Sequence, residues 1–289
     1  QKLGISARRK LPAFRPHSQY VEQKREAQFS ETGDTLIFVD SFTKAFRPEV
    51  VSAAARVLRD TGAEVGCTPD ACCGLTWVST GQRDSAAKRL KNLVHKLDDG
   101  TERPIVVLEP SCAATIRDDG PKLVPGEASE RVAARVQSFA VAVDAAVGRG
   151  WRPTTPPPAE AVLQTHCHEH ATFGPASQRR VLRAWGVDRV VESSSCCGVA
   201  GNFGFESEHF DVSMQVAEHS IIPAIASGGE EALILTDGYS CAMQVSQVEK
   251  IRASEHLAVA LDGSGKPGSS SKSRSSGKLS GKVHSEPSA

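Results

Sequence analysis

Arg56–Gly62 (RVLRDTG) returns as Arg180–Gly186 (RVLRAWG), and Cys72-Cys73-Gly74 returns as Cys196-Cys197-Gly198, both after the same 124 positions. Two matches at one offset mark an internal duplication. Around each copy the same order of elements can be read. In the first, Thr35–Asp40 (TLIFVD) is a short apolar run suited to a buried strand. Pro48–Asp60 reads as a helix, with proline at its start and Gly62 as its stop. Val65 then leads to the cysteine pair, a helix follows near Ser85–Leu97, and the strand Pro104–Glu109 (PIVVLE) ends at Pro110-Ser111-Cys112. In the second copy, Ala161–Thr165 is a strand and Ala176–Trp185 a helix stopped by Gly186. Asp188–Val191 leads to Cys196, His209–Ala226 is helical, and Ala232–Thr236 is a strand reaching Cys241. Strands alternating with helices predict an α/β fold of two pseudo-repeated lobes with parallel sheets, spanning 34–150 and 151–262.

The flanks differ. Residues 1–33 are polar and basic without a sustained period, and read as a linker or lead-in arm. Residues 263–289 collapse to Gly, Ser, Lys and Pro, a composition expected to stay disordered. The 289 residues carry 34 Lys+Arg against 34 Asp+Glu, which excludes an overall basic nucleic-acid binder. No run reaches the ~20 apolar residues of a membrane span, so any membrane association is expected to be peripheral. The chain opens on Gln1 with no signal-type stretch, and is expected to be a cytoplasmic piece of something longer.

Eight cysteines, Cys67, Cys72, Cys73, Cys112, Cys167, Cys196, Cys197 and Cys241, are the informative anomaly. Without a secretory signal, metal binding or redox chemistry is a stronger reading than a disulfide framework. Cys112, Cys167 and Cys241 each follow a predicted strand, and the CCG pairs sit in strand-to-helix loops, so they converge on one edge of each lobe. An iron–sulfur cluster needs several thiolates held in fixed directions, which such loops supply. Adjacent cysteines suit two metal atoms of one cluster, and the following glycine lets the backbone approach. Ordinary buried cysteines would account for any one of them, but not for two CCG tripeptides at the same repeat position. The metal set is therefore Cys167, Cys196, Cys197 and Cys241. Cys72, Cys73 and Cys112 form an incomplete set, because Ser41–Thr43 stand where Cys167 would be. Cys67 has no counterpart, since the offset lands on Val191, and reads as structural.

Zinc is the alternative metal, because His166, His168 and His170 flank Cys167 in HCHEH. On an extended segment the three histidines would share one side. Phe203 and Phe205 are expected to exclude water from a cluster, Asp237-Gly238 to place Cys241 on a loop, and Asp40 and Glu109 to be polar groups at strand ends.

These residues resemble the cysteine-rich CCG domain, which occurs in tandem in the B subunit of heterodisulfide reductase. LEPSC (108–112), HCHEHA (166–171), CCGVAGNFGFE (196–206) and DGYSC (237–241) are similar to the C-terminal part of FAD-linked oxidases of the D-lactate and D-2-hydroxyglutarate dehydrogenase type. LGISARRKLPAF (3–14) is similar to the segment preceding the CCG pair there. The resemblance implies an electron-transfer module with an iron–sulfur cluster of 4Fe-4S type, serving a flavin that oxidises a 2-hydroxy acid. The FAD-binding domain and a ferredoxin-like iron–sulfur domain are absent from this sequence, and are expected upstream or on a separate partner. Both repeats end in a single cysteine where heterodisulfide reductase has CxxC, which ranks a thiol–disulfide enzyme last. A zinc-stabilised docking domain without redox role is the other reading.

Overall fold

The computed structural model describes residues 4–264; the expected disordered tail lies, from 265 on, outside the described residues. Seven short strands form two parallel sheets. The first takes β1 (Thr35–Phe38), β2 (Val65–Cys67), β3 (Ile105–Val107) and β4 (Val136–Ser138) in the order β2-β1-β3-β4. The second takes β5 (Glu160–Leu163), β6 (Arg189–Glu192) and β7 (Leu233–Leu235) in the order β6-β5-β7. The α/β duplication is therefore observed, with β5 the counterpart of β1.

Side-chain alternation builds three layers of core. From β1 and its continuation, Ile37 and Val39 point inward, as do Val106 and Leu108 around β3. They meet Ala161, Leu163 and Leu235 of the second sheet in one core shared by both repeats. Leu36, Phe38, Ile105 and Val107 face the other way, against Leu90, Leu93 and Leu97 of helix Arg83–Leu97. Val162 and Ile234 do the same in the second sheet, against Ala217, Ile221 and Ile225. Elements cross over between repeats: helix Leu257–Asp262 packs on helix Glu49–Asp60, and Phe139–Gly148 on Ala176–Trp185. Arg56 grips Asp262 through two hydrogen bonds of 2.8 and 2.7 Å across that contact.

Three expectations are corrected. The helix expected over His209–Ala226 is two, Phe210–Glu218 and Ile221–Ser227. Pro223 lacks an N–H and its ring excludes the carbonyl of His219 from helical geometry, so the chain breaks at His219–Ser220. Cys241 is not on a loop: Asp237-Gly238 leads straight into helix Tyr239–Val248, whose first turn holds it. HCHEH is not extended either, because His166 caps helix Cys167–Thr172 by accepting the His168 N–H on its own Nδ1 at 3.2 Å. Within the lead-in region the structure also forms a helix, His17–Glu26, with Tyr20 as its buried residue.

Candidate functional site

In both sheets the order reverses at the first strand, between β1 and β3 and between β5 and β7. Loops leaving neighbouring strands on opposite sides of such a point open a crevice at the carboxyl ends. All seven cysteines other than Cys67 lie at these two crevices. Cys67 packs against the shared core.

At the second crevice, Cys167 opens the helix after β5, Cys196 and Cys197 follow β6, and Cys241 lies in the first turn after β7. Their sulfurs form a string: Cys196 contacts Cys167 and Cys197, and Cys197 contacts Cys241. Gly198 N–H also donates to the Cys196 sulfur at 3.3 Å. The contact with Cys167 holds Cys196 low, as do those with Cys197 and this N–H, while Cys167 and Cys197 are pushed far up. Packed thiols that share one negative charge in this way need added positive charge before all of them ionise. Gly198 is required by backbone: its φ is +90°, and a Cβ would overlap the Ser213 carbonyl oxygen. Gly238 is required by contact, since a Cβ there would run into the His166 ring.

The surroundings of this string hold one buried cation, two imidazoles and several carboxylates: Asp237 faces His166, and Glu206 and Glu208 line the same cleft as Cys196 and Cys197. Arg9, 4% exposed, donates to Gly204 O, Gln244 Oε1 and Ser213 Oγ, each at 2.6 Å. Burial lowers its pKa, while its charge and that of Cys197 favour one another. His166 is held down to about 4 by burial and by His168, so its ring is neutral at pH 7. The donor atoms of His166, Cys167 and His168 lie within 4.8 Å of one another, as do those of Glu206, Glu208 and His209.

The first crevice repeats the string with one substitution. Ser41 opens the helix after β1, where Cys167 opens its counterpart, and contacts the Cys72 sulfur. Cys72 touches Cys73, and Cys73 lies 2.7 Å from Cys112, sulfur to sulfur. Asp40 stands at the helix cap where the second crevice has His166, and Glu109 follows β3 as Asp237 follows β7. Asp40 caps helix Ser41–Phe46, accepting from Phe42 N at 2.8 Å and Thr43 N at 2.9 Å. Glu109 accepts from Ser111 Oγ at 2.7 Å and, across the lobes, from Tyr239 N at 2.8 Å. Burial pushes the Glu109 carboxyl up to about 7, and Asp40 adds to it. The Cys73 contact pulls Cys112 down, yet burial and these carboxylates leave it raised, at about 12. Asp40 and Glu109 are thus helix caps, and their charge opposes a thiolate at Cys112.

A cleft of about 1080 Å³ opens between the lobes. Cys167, Cys196 and Cys197 line it, whereas Cys72, Cys73 and Cys112 do not. Phe205 lines it as well, but Phe203 stacks on His209 at 4.2 Å and lies away from it. One wall is the N-terminal arm. Ser6 N donates to Phe205 O at 2.8 Å and Arg15 N to Ala45 O at 2.7 Å, so the arm runs from one lobe to the other. The apolar residues Ile5 and Leu11 were the available signal for that role.

The Cysteine-rich domain model matches residues 38–117 and 162–246, one copy around each crevice and together more than half of the chain. This chain belongs to the CCG cysteine-rich domain family. Among curated proteins this CCG chain is 23% identical to the C subunit of the anaerobic glycerol-3-phosphate dehydrogenase of Escherichia coli (strain K12), over 88% of the chain and 65% of that protein. It is 28% identical to the D-2-hydroxyglutarate dehydrogenase of Pseudomonas putida, over 82% of the chain and 23% of that protein. The corresponding enzyme of Escherichia coli (strain K12) is 25% identical over 84% of the chain and 24% of that protein. The CCG chain thus spans less than two thirds of the curated relatives it matches. Among the described residues, no helix is long and apolar enough to cross a membrane.

Proposed function

We propose that this chain is the electron-transfer part of a flavin-dependent dehydrogenase of D-2-hydroxy acids, such as D-lactate or D-2-hydroxyglutarate, with an iron–sulfur cluster held by Cys167, Cys196, Cys197 and Cys241. The observation that carries the reading is the string of four sulfurs beside Arg9 and two imidazoles, open to the cleft. A single tetrahedral ion wants its donors clustered about one point, ~3.8 Å apart for sulfurs at 2.3 Å from the metal. A string that runs from one neighbour to the next suits several metal atoms better, and four thiolates match a 4Fe-4S centre. When bound, that centre supplies a one-electron store. The chain's residues supply the rest: thiolates to bind, Arg9 to offset negative charge, and Val199 and Phe205 to keep water from Cys197 and Cys241.

Cys72, Cys73 and Cys112 form a second, incomplete set in this reading, short of one thiolate and facing two carboxylates. The flavin domain and a ferredoxin-like domain belong to chain outside this sequence or to a separate partner. One relative bears the name of a subunit and another is matched over only 23% of its length, which supports that division. Eight free thiols suit a reducing compartment, the cytoplasm.

Protein purified without oxygen is expected to be brown and to carry iron and acid-labile sulfide. Cys196→Ser is expected to lose most of both; a variant that keeps its full complement ends the assignment. The His166–Cys167–His168 triad favours a second reading, a zinc site in a docking domain. That reading requires stoichiometric zinc, no visible absorption, and unfolding on chelation.

A further inference from the structure

We propose that Arg9 is a positioning residue for the thiolates of the second crevice, and that through it the N-terminal arm is held more firmly when that crevice carries its metal centre. The proposal rests on the electron-transfer reading above and adds to it a part that the four cysteines do not supply. Three observations carry it. The first is an unmatched charge. Among the described residues two arginines are buried, Arg9 and Arg135. Arg135 has Asp99 at 3.0 Å. Arg9 instead spends its hydrogen bonds on neutral acceptors, Gly204 O, Gln244 Oε1 and Ser213 Oγ, and the ionisable group whose charge favours its own is Cys197. A buried cation without an anion beside it is costly, and supplying the anion removes that cost. Cysteines bind metal as thiolates, so a loaded crevice supplies one.

The second observation is connectivity. Gly204 N donates to Val199 O at 2.8 Å, two residues beyond Cys197. The Ser213 carbonyl closes on Gly198 and accepts from Gln244 Nε2 at 3.3 Å. Gln244 stands about one turn beyond Cys241 in helix Tyr239–Val248. One guanidinium therefore ties together the segments that set Cys197 and Cys241. The third is the arm itself. Arg8 pairs with Asp211 where both side chains are more than half exposed, and such a pair holds little. Arg9 is the buried attachment between them and the crevice. By linkage, whatever in the crevice favours Arg9 in place also favours the docked arm, and the docked arm favours it by the same factor. A fixed cation also favours the more negative, reduced state of a nearby centre, so Arg9 raises its potential.

The test uses the full chain purified without oxygen, before and after a chelator strips its iron. Trypsin cleavage after Lys10, read by mass spectrometry, reports release of the arm, and cleavage after Lys91 in helix Arg83–Leu97 is the control. Stripping is expected to raise cleavage after Lys10 about tenfold in the parent, and less than about twofold in Arg9→Met, which is cut fast in both forms. Redox titration of the loaded protein, followed by visible absorption, should place Arg9→Met about 59 mV below the parent, a tenfold change for one electron. Arg9→Lys keeps the charge and should recover more than half of that shift, although it loses the planar fork. Arg8→Ala should leave the potential unchanged. Cleavage after Lys10 that rises on stripping no more than cleavage after Lys91, or a potential indifferent to Arg9→Met, overturns the proposal. Should Arg9→Met fail to retain iron, Arg9→Lys decides: loss of iron and cleavage after Lys10 no faster than in Arg8→Ala overturn it. Full iron and sulfide with these results negative removes this inference alone; a parent without iron removes the electron-transfer reading and this inference together.

Discussion

Replacing Arg9 by alanine probes how the N-terminal arm is held to the second lobe. Its guanidinium is buried and satisfies three acceptors on separate segments: Gly204 O, Gln244 Oε1 and Ser213 Oγ. It also lies over the Phe210 ring at 4.8 Å. An acceptor stranded in a dry interior costs about 1–3 kcal/mol, so three of them set an upper range of roughly 3–6 kcal/mol once partial rehydration is counted. Arg9→Ala has two ways to respond. If the arm stays docked, unfolding free energy falls by that range. If the arm releases, water reaches the three acceptors, the global loss is smaller, and Arg8 and Lys10 become open to trypsin. Arg9→Lys keeps the charge but not the planar fork, and is expected to recover less than half of the loss. Urea unfolding followed by circular dichroism, with trypsin digestion read by mass spectrometry, separates the outcomes. A variant within about 0.5 kcal/mol of the parent, with no new cleavage after Arg8 or Lys10, would show that Arg9 does not anchor the arm.

Other expectations are as specific. Glu109 titrates at about 7 when folded, against 4.5 for the free side chain, so the folded state holds its proton longer than the unfolded state. Its contribution is therefore complete below about pH 4.5 and is lost as pH rises to about 7, some 3 kcal/mol in all. Glu109→Gln should flatten that part of the stability–pH curve, and an unchanged curve would reject the assignment. Gly198→Ala forces a side chain into a +90° φ and onto the Ser213 carbonyl. It should cost about 3 kcal/mol or more, read as a fall in urea midpoint, whereas Gly201→Ala, at +67° in open space, should cost about 1 kcal/mol. Ser41→Cys completes the four-sulfur string of the first crevice. If thiolate number limits that crevice, iron per chain should rise; if Asp40 and Glu109 limit it, only Ser41→Cys with Glu109→Gln should do so.

Much of the architecture was readable from local pattern. β1, β3, β5 and β7 are short apolar runs between turn residues, and helices Glu49–Asp60 and Ala176–Trp185 carry strong apolar stripes and glycine stops. What escaped lacked such a pattern. β4 is Val-Gln-Ser between two helices, a strand only because Ile105–Val107 offers it an edge. Helix His17–Glu26 buries a single residue, Tyr20, so no apolar face announces it. The break before Ile221 was legible in Pro223, whose effect on the preceding turn is local.

The order of residues alone determined the duplication, the thiol chemistry at equivalent positions, and the glycine that must follow each cysteine pair, because those depend on covalent spacing and backbone sterics. It also showed that Ser41–Thr43 stand where the second repeat has Cys167. Only the folded chain decided which crevice opens to the cleft and which charges attend each one. Cys197 is over 180 residues from Arg9 in sequence yet feels its charge, while Cys112 lies beside Asp40 and Glu109. Electrostatics and packing act through space between loops that leave different strands, and spacing along the chain carries no record of those distances.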